Sequence, residues 1–220
     1  MNKIAIITAM REEAEHIINN YWLKLAKKIG ILEIYESQEM VLALCGIWKI
    51  QATLWASFLT QNYQISKFIN IWIAGSLLWD KASIWDVFLI SKISQHDMYL
   101  PFDGEHLNYA KKEILINHNI NLDTNKYEFK LDLNGYCLTW DQFIDDWEKV
   151  LDLANKYNAS VCEMEAFAIA SVAREFWILD KMIFIKAISD WADNEAKDAH
   201  MSNLDFAMEN SIKVLKDIIW

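Results

Sequence analysis

Three short acidic segments carry the residues best suited to chemistry. Thr8-Ala9-Met10-Arg11-Glu12-Glu13 follows the first strand-like run, Cys162-Glu163-Met164-Glu165 leads into a helical one, and Ala187-Ile188-Ser189-Asp190 ends the last strong apolar run. A single carboxylate at such a point serves equally well as a helix cap or dipole partner. Three of them, each at the end of a different strand, are much harder to dismiss as caps and make acid–base chemistry the class to consider. Strand ends are also where α/β proteins place their sites.

The elements that must position them are readable from apolar periodicity. Lys3–Ala9 is a buried strand, and Arg11–Lys28 has helical spacing. Leu32–Glu36 and Met40–Cys45 read as a hairpin pair of strands, Lys49–Gln61 as a helix, and Phe68–Ala74 and Asp86–Ser91 as strands. Tyr127–Thr139 holds one or two more strands, and Asp141–Tyr157 a helix. Ser160–Cys162 is a short strand, Ala166–Phe176 a helix, Met182–Ser189 the last strand and Leu204–Ile219 a closing helix. This alternation predicts an α/β fold: a three-layer αβα sandwich whose central mixed, largely parallel twisted sheet is flanked by helices. The loop at Pro101–Gly104 holds the only proline, without a composition shift, so residues 1–220 read as one domain.

Bulk composition narrows the function. A formal net charge of −10, with Arg11 and Arg174 as the only arginines, argues against a nucleic-acid surface. No apolar stretch is long enough to span a bilayer, and the N-terminus lacks a signal-peptide layout. Cys45, Cys137 and Cys162 are odd in number and sit in apolar sequence, which suits reduced thiols in a cytoplasmic protein. His16, His106, His118 and His200 have no partners at metal-ligand spacing, and no glycine loop of the nucleotide-binding kind is present, so neither metal nor cofactor is expected.

The segments IAIITAMREEAE, CGIWKIQA, WIAGS, WDVFLIS, QHDM, TWDQFI, EMEAFAIA and IKAISDWAD occur in that order along the chain. In this the sequence resembles the nucleoside phosphorylase/nucleosidase superfamily, and within it the 5′-methylthioadenosine/S-adenosylhomocysteine nucleosidases. Only about Tyr99–Leu133 lacks a counterpart. The resemblance implies hydrolysis of an N-ribosidic bond, with Asp190 protonating the purine at N7, Glu13 activating water and Glu165 holding the ribose hydroxyls. An acid in that role needs surroundings that penalise its charge, and a carboxylate near the ribose favours an oxocarbenium-like transition state. Ser189 matches the residue supporting the acid, Met164 one packing on the ribose, and Phe143 the aromatic that stacks on the purine beside the Ile144 backbone. Met10, Ile47 and Phe206 match the lining of the pocket for the 5′ group. The resemblance also implies a homodimer, with His96 near its contact and Phe102 of the partner subunit as the candidate for closing the pocket.

Phosphorolysis would need cations for a phosphate dianion, and only Arg11 and Lys49 lie in suitable segments. Water is therefore the expected nucleophile. A nucleoside phosphorylase, a hydrolase of 6-amino-6-deoxyfutalosine and a non-catalytic nucleoside binder stay open as alternatives. One anomaly bears on competence: there are 11 Trp against 5 Gly. Trp48, Trp72, Trp85 and Trp140 fall where the family has glycine, and Trp55 and Trp177 where small residues are common. A UGA codon read as glycine in the source, but as tryptophan in this sequence, would account for them together.

Overall fold

The computed structural model describes residues 2–78, 81–99, 101, 104 and 112–220; Phe102, expected to close a partner's pocket, lies outside them. The described strands are β1 (Lys3–Thr8), β2 (Lys24–Ile29), β3 (Leu32–Glu36), β4 (Met40–Leu44), β5 (Ile65–Ser76), β6 (Val87–Gln95), β7 (Glu113–Leu115), β8 (Leu131–Thr139), β9 (Val161–Glu163) and β10 (Met182–Asp190). The helices are α1 (Arg11–Tyr21), α2 (Lys49–Asn62), α3 (Trp147–Tyr157), α4 (Ala166–Glu175) and α5 (Ala196–Ile219). All ten strands join one mixed sheet in the order β10-β6-β8-β9-β5-β1-β4-β3-β2, with β7 on β6. Because β10 also pairs with β5, the strands β10, β6, β8, β9 and β5 close into a ring. β5 is parallel to both β1 and β10, while its last residues Gly75 and Ser76 meet β9 antiparallel.

Burial explains the strand assignments. β4 and β10 are buried at every position, as expected of strands covered on both faces. α2 and α4 pack together on one face, with Ala52, Ala56, Leu59, Phe167 and Ile169 in the core there. α1 and α5 cover the other, where Ala14, Ile17, Leu204, Met208 and Leu215 meet Ile6, Leu42 and Ile69.

Five elements differ from the sequence expectation. The helix expected over Arg11–Lys28 stops at Tyr21, because Trp22 turns to φ 49° and Leu23 N–H closes onto Ile18 O. Residues 24–29 then form an exposed edge strand on β3, so pairing overrides local helix propensity. Its lysines, Lys24, Lys27 and Lys28, suit an edge that must not recruit other chains. α3 begins at Trp147 rather than Asp141, since the Asp146 carboxylate caps it by accepting from the Glu148 and Lys149 N–H groups. α5 begins at Ala196, about two turns before Leu204. The Tyr127–Thr139 stretch yields the single strand β8, and β7 has no counterpart in the sequence reading.

Candidate active site

The ends of β1, β5, β9 and β10 converge, and the carboxylates stand there. Glu13 lies in the first turn of α1 and is completely buried. Its Oε2 accepts hydrogen bonds from Thr8 Oγ1 (2.9 Å) and Met10 N–H (3.0 Å), and its Oε1 from Ile73 N–H (3.3 Å). Burial raises its pKa above the ordinary carboxylate value, opposed by those three donors and by the positive charge of Lys186. A carboxylate biased toward taking up a proton is suited to the work of a general base.

On the next wall, β9 delivers Glu163 and the chain turns into α4 at Glu165. Glu163 caps that helix, accepting Ala166 N–H at 2.9 Å and Glu165 N–H at 3.1 Å. Thr139 Oγ1, at the end of β8, donates to Glu163 (2.6 Å) and accepts from Phe167 N–H (3.0 Å). Lys186 Nζ reaches Glu163 Oε2 at 2.9 Å in a pair sealed from solvent, and lies 4.9 Å above the Trp72 ring. Glu165, nearly fully buried, accepts the Trp48 backbone N–H at 2.8 Å. Its pKa is pushed well up, by burial first and then by the Glu163 charge, against the pull of the Trp48 N–H and Lys186.

The opposite wall is made by the end of β10. Asp190 is buried; its Oδ1 accepts from Ala192 N–H at 2.8 Å and its Oδ2 from Ser189 Oγ at 2.7 Å. His200 Nδ1 stands 3.3 Å from that Oδ2 and 3.2 Å from Ser189 Oγ. The turn is strained, with Ala192 at φ 54°. Gly75 is required beside it, because a Cβ there would lie 2.9 Å from Asp190 Oδ1 and 3.0 Å from the Ala192 Cβ.

Between the walls is a cavity of about 90 Å³. Of the residues singled out in the sequence, Met10, Ile47, Phe143, Ile144, Met164, Glu165 and Asp190 line it. Ser189 sits behind Asp190 as its hydrogen-bond donor, and Glu13 lies behind the wall formed by Met10 and Ile73. Phe206 is elsewhere: it is exposed and packs on Trp85 with ring centroids 5.2 Å apart. His200 occupies the corresponding wall and meets the Phe143 ring edge-on at 5.6 Å. Six residues along α5 turn Phe206 well away from the face that presents His200. Lys186 was not singled out in the sequence, although a lysine inside the apolar run MIFIKAIS signals a buried cation that needs a partner.

A family model described as the phosphorylase superfamily matches residues 3–219. The chain belongs to that superfamily. Among curated members, a 5′-methylthioadenosine/S-adenosylhomocysteine nucleosidase of Buchnera aphidicola (subsp. Acyrthosiphon pisum) is 30% identical over 99% of this chain and 97% of its own. An aminodeoxyfutalosine nucleosidase of Helicobacter pylori is 27% identical over 100% and 98%. Among solved superfamily structures, the 5′-methylthioadenosine/S-adenosylhomocysteine nucleosidase of Helicobacter pylori with butyl-thio-DADMe-Immucillin-A superposes with a TM-score of 0.87 at 25% identity, covering 100% of this chain and 98% of that one.

Proposed function

We propose that the cavity binds a 5′-substituted adenosine, 5′-methylthioadenosine or S-adenosylhomocysteine, and hydrolyses its N-ribosidic bond. The observation that carries this reading is the convergence of three buried carboxylates that follow separate strands, with Glu165 and Asp190 lining one cavity and Glu13 directly behind its Met10–Ile73 wall. Asp190 gives a proton to purine N7 as the bond to the anomeric carbon breaks and its electron pair passes to the base. Glu13 takes a proton from water, whose oxygen bonds to that carbon. Glu165 receives the ribose hydroxyls and offsets the positive charge that develops on the sugar. Phe143 stacks on the purine, Ile144 offers its backbone to the purine edge, and Met164 packs on the ribose; Met10 and Ile47 border the 5′ group. Ser189 and His200 both contact Asp190 Oδ2, and the partly exposed His200 links that oxygen to solvent for its reprotonation.

Water rather than phosphate is the nucleophile because the cations named for phosphate are engaged. Lys49 is bound to Asp97 at 2.8 Å and Asp141 at 3.2 Å, and Arg11 to Glu33 and Tyr35. Supplying 5′-methylthioadenosine with and without phosphate tests this, with adenine and free methylthioribose expected in both cases. Formation of the ribose 1-phosphate would overturn it. Asp190→Asn should lower kcat by about 10²- to 10⁴-fold, the range of one general acid, with the circular dichroism spectrum unchanged; near-normal turnover would remove Asp190 from the mechanism.

The same reading includes a cytoplasmic homodimer. The three buried free cysteines fit a reducing compartment. Ile50 and Leu54, one turn apart on α2, are exposed apolar side chains beside the cavity residue Ile47, a face suited to a second copy. Ile50→Asp with Leu54→Asp should halve the mass measured by light scattering; a parent that already runs as a monomer would overturn the dimer.

A further inference from the structure

Among the described residues, seven other than glycine have positive φ, and four of them are tryptophans: Trp22 (49°), Trp48 (89°), Trp85 (78°) and Trp177 (58°). Two others, Asn119 and Asn158, are of the type that tolerates this region. Tryptophan is not, because its Cβ crowds the backbone and its indole offers no local hydrogen bond in return. Trp48, at φ 89° and ψ 150°, lies in a region that is essentially glycine's alone.

The local geometry at these sites is the geometry glycine serves. After α1, Leu23 N–H bonds to Ile18 O across Trp22; after α4, Ile178 N–H bonds to Ala173 O and Trp177 N–H to Arg174 O. This is the pattern in which a left-handed glycine closes a helix. The side chains of Trp22 and Trp177 are 84% and 90% exposed, so no burial offsets the strain. At position 48 the same kind of conformation aims a backbone N–H at Glu165 Oε1.

Trp72 makes a different case. Its indole is buried in the cavity wall against Lys186. The space left, about 90 Å³, is well below the ~300 Å³ at which small-molecule sites begin. An engineered cavity in a packed core can reach roughly 150 Å³, so loss of a whole indole is large on the scale of this space. Glu13 is completely buried behind the backbone of Ile73, the residue after Trp72, and does not line that space.

We infer that positions 22, 48, 72, 85 and 177 are glycine positions of the working enzyme, and that glycine at 48 and 72 completes the nucleoside site. The clause on position 72 rests on the nucleosidase reading. A single cause, UGA codons decoded as glycine in the source, covers all five and the surplus of tryptophan over glycine.

Reading the gene is the first test: UGA is expected at all five codons, and UGG at Trp48 or Trp72 overturns the inference. The second compares this chain with Trp22→Gly, Trp177→Gly and Trp48→Gly/Trp72→Gly variants. Trp22→Gly and Trp177→Gly should each raise Tm by roughly 2–4 °C, the shift expected from relieving one left-handed residue in a chain of this size. The double variant should bind adenine at least ten-fold more tightly by calorimetry. Unchanged or lower Tm in the first two, or equal adenine affinity in the third, overturns the inference. Tighter adenine binding without hydrolysis of 5′-methylthioadenosine would support the inference and sink the hydrolase reading. Equal adenine affinity with hydrolysis by both chains would do the reverse.

Discussion

Glu33 and Glu165 are both largely buried glutamates, and their surroundings drive them in opposite directions. Glu33, on β3, accepts hydrogen bonds from the Tyr35 hydroxyl (2.6 Å), the Arg11 guanidinium and Lys28 Nζ (2.9 Å), which hold its carboxyl down at about 2. Glu165 is buried more deeply, with a second carboxylate, Glu163, as its neighbour, and is pushed well up. The first arrangement favours the folded ionised state. The second works against it, and the fold holds it in place through the surrounding strands. On the function proposed above, ribose hydroxyls would supply Glu165 with the hydrogen bonds that burial withholds.

Lys186 is the sharpest place to break this comparison. Lys186→Met removes the cation that Glu163 grips and whose charge Glu13 and Glu165 feel, leaving a buried carboxylate unpaired. A loss of about 3–5 kcal/mol in unfolding free energy by urea titration is expected. A loss below about 1 kcal/mol would show that the carboxylates are held by backbone donors alone.

The effect of Glu33 is smaller and depends on pH. Its folded pKa lies below the unfolded one, so its stabilisation is full above about 4.5 and is lost as pH falls toward 2. Glu33→Gln should lower stability at pH 7 by about 1–3 kcal/mol and flatten the acid limb between those values. Glu165→Gln should do the opposite. With the folded pKa raised, the parent loses stability as pH rises from about 4.5 through that higher value. The variant should therefore lack that decline and show a Tm at pH 7 equal to or a few degrees above the parent, with turnover lost. A clear fall in Tm would place Glu165 with Glu33 among the stabilising carboxylates.

Much of this site could be read from the sequence, for a physical reason. Glu13, Glu165 and Asp190 follow strands whose apolar runs are long and unambiguous, so their places at strand ends followed directly. Phe206 was expected in the lining and His200 stands there instead, because a linear pattern does not mark which of two residues six apart on a long helix faces the cavity. The segment 24–29 went astray for a related reason: a turn at Trp22 and pairing with β3 outweigh a weak local preference for helix. The ring closure between β5 and β10 brings strands distant in sequence together, and a linear pattern of residues carries no mark of it.

Cys162 gains a use from where it stands. Its thiol lines the cavity, donates to Gly75 O at 3.7 Å, and has its pKa lifted well up by burial and by the charges of Asp190 and Glu163. A thiol so protected should alkylate slowly, together with the buried Cys45 and Cys137. It is therefore a built-in gauge of access: the labelling rate of this one sulfur reports how far the cavity has opened, without substrate and independently of catalysis.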